Sequence, residues 1–432
     1  MRKKGGQAMF KQHNIMTAVE IGTSKINVLL GECSDDNLAV IGRGSADSAG
    51  AVVKGEIAGM DAALEKLSEA IAQADEESGG ELRNSALTVV SVTGCAIRSF
   101  LGVGTAFVQN EESRVGLEEI AEAVNNAQIK PLPMEQKKIC LFDAYYMLDG
   151  VRRVCNPLDH NAHILEAYAH VVHGDSNRLG NFTALLNDAG IEGEPEMVFS
   201  VLADVLGVLT EEEQENGTLL IDMGAGTTEY AVVYNGGVLD SGVFTLGFDH
   251  VANDLAIGLN LPIGTCRKML NDRTIEQMIR EGRGTCECRT VSGALRKIPV
   301  ASFQKIIDAR LREIFELIYR KASHESYWRN LTAGAVLTGG GALYFQTRDV
   351  FHQVCDLPSR LGLPIGVSGA STGLDDPRYS TVWGTLCYAQ GRLSALEDGR
   401  RGSAGAAVLN TLAQLGDAVS RKLKIFRKSV KF

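Results

Sequence analysis

One pattern occurs twice in this chain, and the repetition restricts its fold more than any other feature. Leu219-Leu220-Ile221-Asp222 is an apolar run that ends in an acid. Met223-Gly224-Ala225-Gly226-Thr227-Thr228 follows, and then a second run of β-forming residues reaches Tyr234. The pattern predicts strand, tight turn, strand. Roughly 200 residues earlier, Thr17-Ala18-Val19-Glu20-Ile21-Gly22-Thr23-Ser24-Lys25 and the apolar run to Leu30 repeat it. Two such hairpins imply a duplicated domain.

The turn chemistry suits phosphate. Gly22, Gly224 and Gly226 leave backbone amides unshielded. Thr23, Ser24, Thr227 and Thr228 add hydroxyl donors, and Lys25 adds a cation. Glu20 and Asp222 end their strands where a hydrated Mg²⁺ would lie beside phosphate. A plain glycine-containing hairpin is the alternative for either stretch alone, because short Gly-rich motifs are weak evidence. A third stretch, Ala335-Val336-Leu337-Thr338 followed by Gly339-Gly340-Gly341, opens bare backbone at a strand-to-helix junction. The order of the three implies two facing lobes that clamp one nucleotide.

These motifs, in this order, resemble the two phosphate loops and the adenosine loop of the actin, Hsp70 and sugar-kinase superfamily. Within it the chain most resembles the bacterial FtsA family, from about Asn14 to about Gln390 and again at the C-terminus. Pro377-Arg378-Tyr379-Ser380-Thr381-Val382-Trp383-Gly384 is similar to that family's closing segment. The resemblance implies an α/β, actin-like (ribonuclease H-like) duplicated two-lobe fold with an FtsA-type extra subdomain, binding ATP and Mg²⁺, with weak ATPase activity at most. On that template residues 15–83, 174–213 and 379–390 form subdomain 1A, and 84–173 form 1C. Residues 214–250 and 328–378 form 2A, and 251–327 form 2B.

Size and composition agree with several domains. The 432 residues exceed one compact core. Nine scattered cysteines without framework spacing read as reduced thiols in the cytoplasm. No apolar run is long enough to span a membrane, and the basic start through Asn14 reads as a disordered tail. The net charge of −10 argues against general nucleic-acid binding. His160, His163, His170 and His173 prompt a metal reading, but His170 and His173 would alternate faces on a strand. Cys286-x-Cys288 lacks the second pair that a zinc site needs and reads as part of a loop over 281–298.

Periodicity predicts helices over 60–74, 117–128, 179–189, 196–210, 248–259, 264–280 and 302–322, with strands within 86–108 and 164–172. The acids Glu211-Glu212-Glu213 read as a break between lobes. In the helix over 302–322, Phe303, Ile307, Ile314, Leu317 and Ile318 form an apolar stripe with Arg310 inside it and Glu313 at its edge. The residues alone favour an Arg310–Glu313 pair over a peptide groove. The resemblance favours the groove: Arg296, Arg310 and Glu313 match the family's pocket for the FtsZ C-terminal peptide. It further implies self-association into a filament and other divisome partners. One departure concerns Ile263 to Met269, where the family's acid is absent; Lys268 is the residue there that would reach the nucleotide.

The segment 391–417 has linker composition. Beyond it, Val419, Leu423, Phe426 and Val430 share one face of a helical wheel, and Arg421, Lys424, Arg427, Lys428 and Lys431 share the other. A basic amphipathic helix over 418–432 suits an anionic inner-membrane surface, each basic side chain contributing about 1 kcal/mol. The resulting expectation is a peripheral protein that tethers FtsZ filaments to the cytoplasmic face at the septum and helps assemble the Z ring. A pilus-assembly scaffold and a small-molecule kinase are the alternatives; neither has a use for the basic helix.

Overall fold

The computed structural model describes residues 14–34, 37–369 and 373–401, the last five of these as backbone only. The N-terminal tail over 1–13, the linker from 402 and the amphipathic segment 418–432 lie outside the described residues.

The first lobe opens with the meander β1 (Asn14–Ile21), β2 (Lys25–Ser34) and β3 (Asn37–Asp47). A small hairpin, β4 (Val52–Val53) and β5 (Glu56–Ile57), leads to α1 (Met60–Ser78) and β6 (Ser85–Val92). An inserted unit follows: β7 (Arg98–Phe107), α2 (Leu117–Ala127), β8 (Gln136–Leu148), β9 (Arg152–Val154) and β10 (Ile164–Asp175). The chain returns through α3 (Ser176–Asp188), β11 (Glu196–Phe199), α4 (Ser200–Val208) and α5 (Glu211–Asn216).

The second lobe repeats the plan. Its meander is β12 (Thr218–Met223), β13 (Thr228–Tyr234) and β14 (Gly237–Phe244). Next come α6 (Phe248–Leu259), α7 (Ile263–Asn271), α8 (Thr274–Arg280), the hairpin β15 (Thr285–Arg289) and β16 (Leu295–Pro299), and α9 (Val300–Ala322). The chain closes with β17 (Ala335–Thr338), α10 (Thr347–Cys355), β18 (Ser359–Leu361) and α11 (Ser380–Arg401).

The duplication is explicit in the sheets. One runs β3-β2-β1-β6-β11 and the other β14-β13-β12-β17-β18. In each, three antiparallel strands are followed by two parallel ones. A continuous apolar run suits a strand buried on both faces, and β12 shows why. Leu219, Ile221 and Met223 join the core built by α6, α9 and α10, whereas Leu220 joins the core of the first lobe. In the first sheet glycines admit the helices. A Cβ on Gly42 or Gly44 would meet carbonyls of α1, and one on Gly31 would meet Leu386 of α11 on the opposite face. α4 and α11 cross backbone to backbone: a Cβ on Gly207 would come 2.8 Å from the Gly384 Cα, and one on Gly384 would come 2.1 Å from the Ala203 carbonyl.

The insertion has its own core, with α2 laid over a sheet ordered β7-β10-β8-β9. It also reaches the second lobe. His170 Nε2 lies 2.7 Å from Ser241 Oγ, and the Ser99 hydroxyl donates to the Ser241 carbonyl at 3.0 Å. The Arg153 guanidinium covers Tyr145 at 3.8 Å and approaches Tyr234 of β13 at 5.9 Å. The insertion thus covers β14, an edge strand that would otherwise be exposed.

Several segments differ from the expectations. Glu196–Phe199 is a strand, not the start of a helix, because it adds to β6 in parallel. The acidic break is helix α5: Thr210 Oγ1 accepts from the Glu213 amide at 3.2 Å while the Glu213 carboxylate accepts from the Thr210 amide at 2.9 Å. That reciprocal cap overrides the repulsion of three acids, which lie at the positive end of the helix. The helix over 264–280 is two helices, broken at Arg273 with φ 52°. The loop over 281–298 contains the hairpin β15–β16, in which Cys286 and Cys288 alternate with exposed residues and are buried with sulfurs 3.2 Å apart. α11 continues through Arg401, eleven residues into the expected linker. On α9 the buried stripe is centred on Leu311 and Phe315, and Leu317 is half-buried.

Candidate functional site

The two turns have the same construction. The Gly22 amide donates to the Lys25 carbonyl and the Gly224 amide to the Thr227 carbonyl, both at 2.9 Å. The last paired residues are Ile21 with Ile26 and Met223 with Thr228. The sheets bring the turns into contact, since a Cβ on Gly226 would come 2.5 Å from Thr23 Oγ1 and 2.9 Å from the Lys54 Cα. Thr23 Oγ1 itself accepts from the Gly55 amide at 3.0 Å, which fixes the β4–β5 turn over the same place. Lys25 and the exposed Lys54 therefore both flank the junction of the turns.

The third glycine segment abuts the second turn. Gly339 has φ 79°, and a Cβ there would lie 2.0 Å from Asp222 Oδ1. A Cβ on Gly341 would meet Met223 and Phe248 at 3.0–3.1 Å, whereas one on Gly340 would meet only Arg378, at 3.7 Å. Gly339 and Gly341 are thus needed for packing, and Gly340 is the exposed member that could border a ligand. Arg378 is held there by two bonds to Asp376, at 2.9 and 2.7 Å.

The hydroxyls divide between two tasks. Thr228 is fully buried and donates to the Leu246 carbonyl at 2.7 Å, so it ties β13 to the following loop and does not face the turns' junction. Thr227 donates to Glu229 at 3.2 Å. Glu229 also accepts from the Val201 amide at 3.1 Å and from the hydroxyls of Ser200 and Thr93. This carboxylate of the second lobe caps the N-terminus of α4 and clasps the first lobe.

Around the junction the acids accumulate. Glu20 accepts from Asn27 at 2.9 Å. Burial, reinforced by Glu229 and opposed by Asn27 and Lys25, pushes its carboxyl up to about 7. Burial and the charges of Glu229 and Glu20 likewise hold Asp222 well above the usual carboxylate range. Asp204, on α4, is raised by burial and by the charges of Asp222, Glu229 and Glu20. The Thr381 hydroxyl favours the charged forms of both Asp204 and Asp222. Among the described residues no three His, Cys, Asp or Glu converge closely enough to ligate a metal ion.

The remaining expected residues lie elsewhere. Lys268 is exposed on α7, beside Arg267, which reaches Asp249 at 3.3 Å. Arg310 is only 20% exposed at its side chain. Its guanidinium donates to both oxygens of Asp254 at 2.6 and 3.0 Å and to Glu313 at 2.6 Å. The Arg310–Glu313 pair expected from the helical spacing is present, and Asp254 of α6 joins it. Arg296 is exposed on β16, the strand that leads into α9. Of the four histidines, His170 is buried against Ser241, and His173 Nδ1 lies 3.0 Å from Gln136 Oε1.

Sequence reading missed Asp204, Glu229, Lys54 and Asp254. For two of them a signal existed: Glu229 is the lone charge of an otherwise uncharged strand, and Asp204 the lone charge of an apolar helix. A charge in such a position must be satisfied or functional.

Duplicated five-stranded sheets with two phosphate-type turns in contact define an actin-like, two-lobed protein. In keeping with this, the fold matches a PilM–PilN type IV pilus biogenesis complex chain (TM-score 0.58, 16% identity, 87% of this chain and 97% of that one). It also matches MreB5 of Spiroplasma citri bound to ADP (TM-score 0.52, 14% identity, 89% and 99%). The chain belongs to the FtsA family: the model for cell division protein FtsA matches residues 219–384, and that for the SHS2 domain inserted in FtsA matches 94–173. Cell division protein FtsA of Borreliella burgdorferi is 27% identical over 426 residues, covering 96% of this chain and 97% of the relative. That of Neisseria meningitidis is 28% identical over 400 residues, covering 90% and 94%. In Bacillus subtilis the corresponding protein is 27% identical over 386 residues, covering 87% and 84%.

Proposed function

We propose that this FtsA-family chain binds ATP with Mg²⁺ between its lobes and tethers FtsZ filaments to the cytoplasmic face of the inner membrane at the division septum. The observation that carries the nucleotide site is the contact of the two turns at Gly226 and Thr23. Amides of Gly22–Ser24 and Gly224–Thr227 would cradle phosphate, with Lys25 and Lys54 balancing its charge. Glu20 and Asp222 would hold the waters of Mg²⁺, which neutralises phosphate charge when bound. Gly340 would border the adenosine and Lys268 its outer edge. MreB5 of Spiroplasma citri, which shares the fold, has been solved with ADP and with AMPPNP, which supports this reading.

The tether would use two further surfaces. Arg296, Arg310 and Glu313 would receive the acidic and apolar C-terminal peptide of FtsZ. Because Arg310 already serves two acids, an incoming carboxylate would compete with Glu313, the more exposed of them. The basic amphipathic segment 418–432 would bind anionic lipid reversibly as one copy and firmly as many copies along a filament.

Co-sedimentation with anionic vesicles tests the reading. With ATP present, full-length protein should carry FtsZ down, and protein lacking residues 418–432 should leave FtsZ in the supernatant. Sedimentation of FtsZ with the truncated chain, or none with the full chain, would refute the tether.

A further inference from the structure

A cavity of about 350 Å³ lies where the insertion meets the second lobe, a size and a position usual for small-ligand sites. Leu101, Tyr145 and Arg153 line it from the insertion, and Tyr234, Leu239 and Lys321 from the second lobe. Its walls are thus largely apolar and aromatic, and Leu101 is 40% exposed there. The Arg153 guanidinium covers the Tyr145 ring at 3.8 Å and lies 5.9 Å from that of Tyr234, so a phenol from each part of the molecule orients it. Its donors are unspent. Among the described residues Arg153 and Lys321 have no acid within ion-pair distance, and the Tyr234 hydroxyl has no hydrogen-bond partner. Two acids also line the cavity. Asp240 accepts from the Tyr230 and Tyr327 hydroxyls on one oxygen, at 3.0 and 2.9 Å, and Glu325 is exposed and screened by water. The unmet groups are therefore donors, set around a space with aromatic and leucine walls.

We propose that this cavity binds a small aromatic anion, a carboxylate or a phosphate, with its ring among Leu101, Tyr234 and Leu239 and its charge on Arg153 and Lys321. The guanidinium offers a planar fork that pairs with two oxygens of either anion, and Lys321 adds a point charge from the second lobe. Such a ligand touches the insertion and the second lobe together, and so fastens a contact otherwise made by Ser241 and by the approach of Arg153 to Tyr234. The cavity is separate from the nucleotide turns, because Tyr234 is at the other end of β13 from Thr228, roughly 20 Å along the strand. Its occupancy is independent of the nucleotide and of the tether.

Phenyl phosphate and benzoate are the probes, and benzyl alcohol is the uncharged ring. Each is titrated into the full-length chain by saturation-transfer NMR, with excess ATP and Mg²⁺ present so that the nucleotide turns do not report. The expected result is binding of at least one anion, the tighter of the two identifying the charged group, with benzyl alcohol weaker by about 10-fold or more. Arg153→Gln should lower the anion's affinity by about 10-fold or more. Arg152→Gln removes the same charge from the neighbouring residue of β9, outside the cavity, and should leave the affinity unchanged. Arg153 is exposed, and circular dichroism checks folding. Lys321→Met, on the opposite wall, should also weaken binding and leaves the stack of Arg153 on Tyr145 in place. Absence of binding by the unaltered chain, equal affinity for benzyl alcohol, an equal loss in the two arginine variants, or unchanged affinity in both Arg153→Gln and Lys321→Met would each overturn the site.

Discussion

Gly339 shows how much of the site depends on single positions. Its left-handed backbone and the 2.0 Å that would separate its Cβ from Asp222 Oδ1 leave no room for another residue. Gly339→Ala should displace the Asp222 carboxylate and lower Mg²⁺-dependent ATP affinity by 10-fold or more, measured with a fluorescent ATP analogue. Wild-type affinity would show that Asp222 does not hold the cation. Such glycines could be recognised in the sequence because a glycine turn is a local device, spelled out within six residues. Glu229 and Asp204 could be seen only as misplaced charges. Their surroundings depend on Thr93, which is 136 residues from Glu229, and on Thr381, and such separations leave no local pattern.

Among the elements, β10 links the insertion to both lobes. His170 is buried, and burial lowers its imidazole to about 4. A base whose folded value lies below its unfolded one stabilises the fold above the unfolded value, and that stability is lost as pH falls from about 6.5 toward 4. The loss should reach at most about 3 kcal/mol. Chemical unfolding of the wild type and of His170→Gln, compared at pH 7 and pH 4.5, isolates this contribution because the carboxylates titrate in both. An equal loss in the two proteins would show that His170 is not the group responsible. Helix α5 and hairpin β15–β16 were misread for opposite reasons. The Thr210-x-x-Glu213 box was present but outweighed by its acids, whereas the alternation around Cys286 was too short to separate from a loop.

At the scale of the molecule the duplication was evident from the two hairpins, because each lobe repeats the same strand order around them. The docking of the insertion onto β14 was not, since it depends on contacts between surfaces with no shared sequence pattern. Gly207 tests the packing of α4 on α11. Gly207→Ala would push α4 from α11 and should lower stability by about 1–3 kcal/mol, read from the denaturant midpoint; an unchanged midpoint would mean that the crossing tolerates a methyl group. Where those helices meet, main chain lies against main chain, with the buried Trp383 ring beside the contact. The spacing of α4 and α11 is therefore set by bond geometry alone: no rotamer at the contact can absorb a change, so a shift of one helix must carry the other, and with α4 the Glu229 carboxylate that caps it.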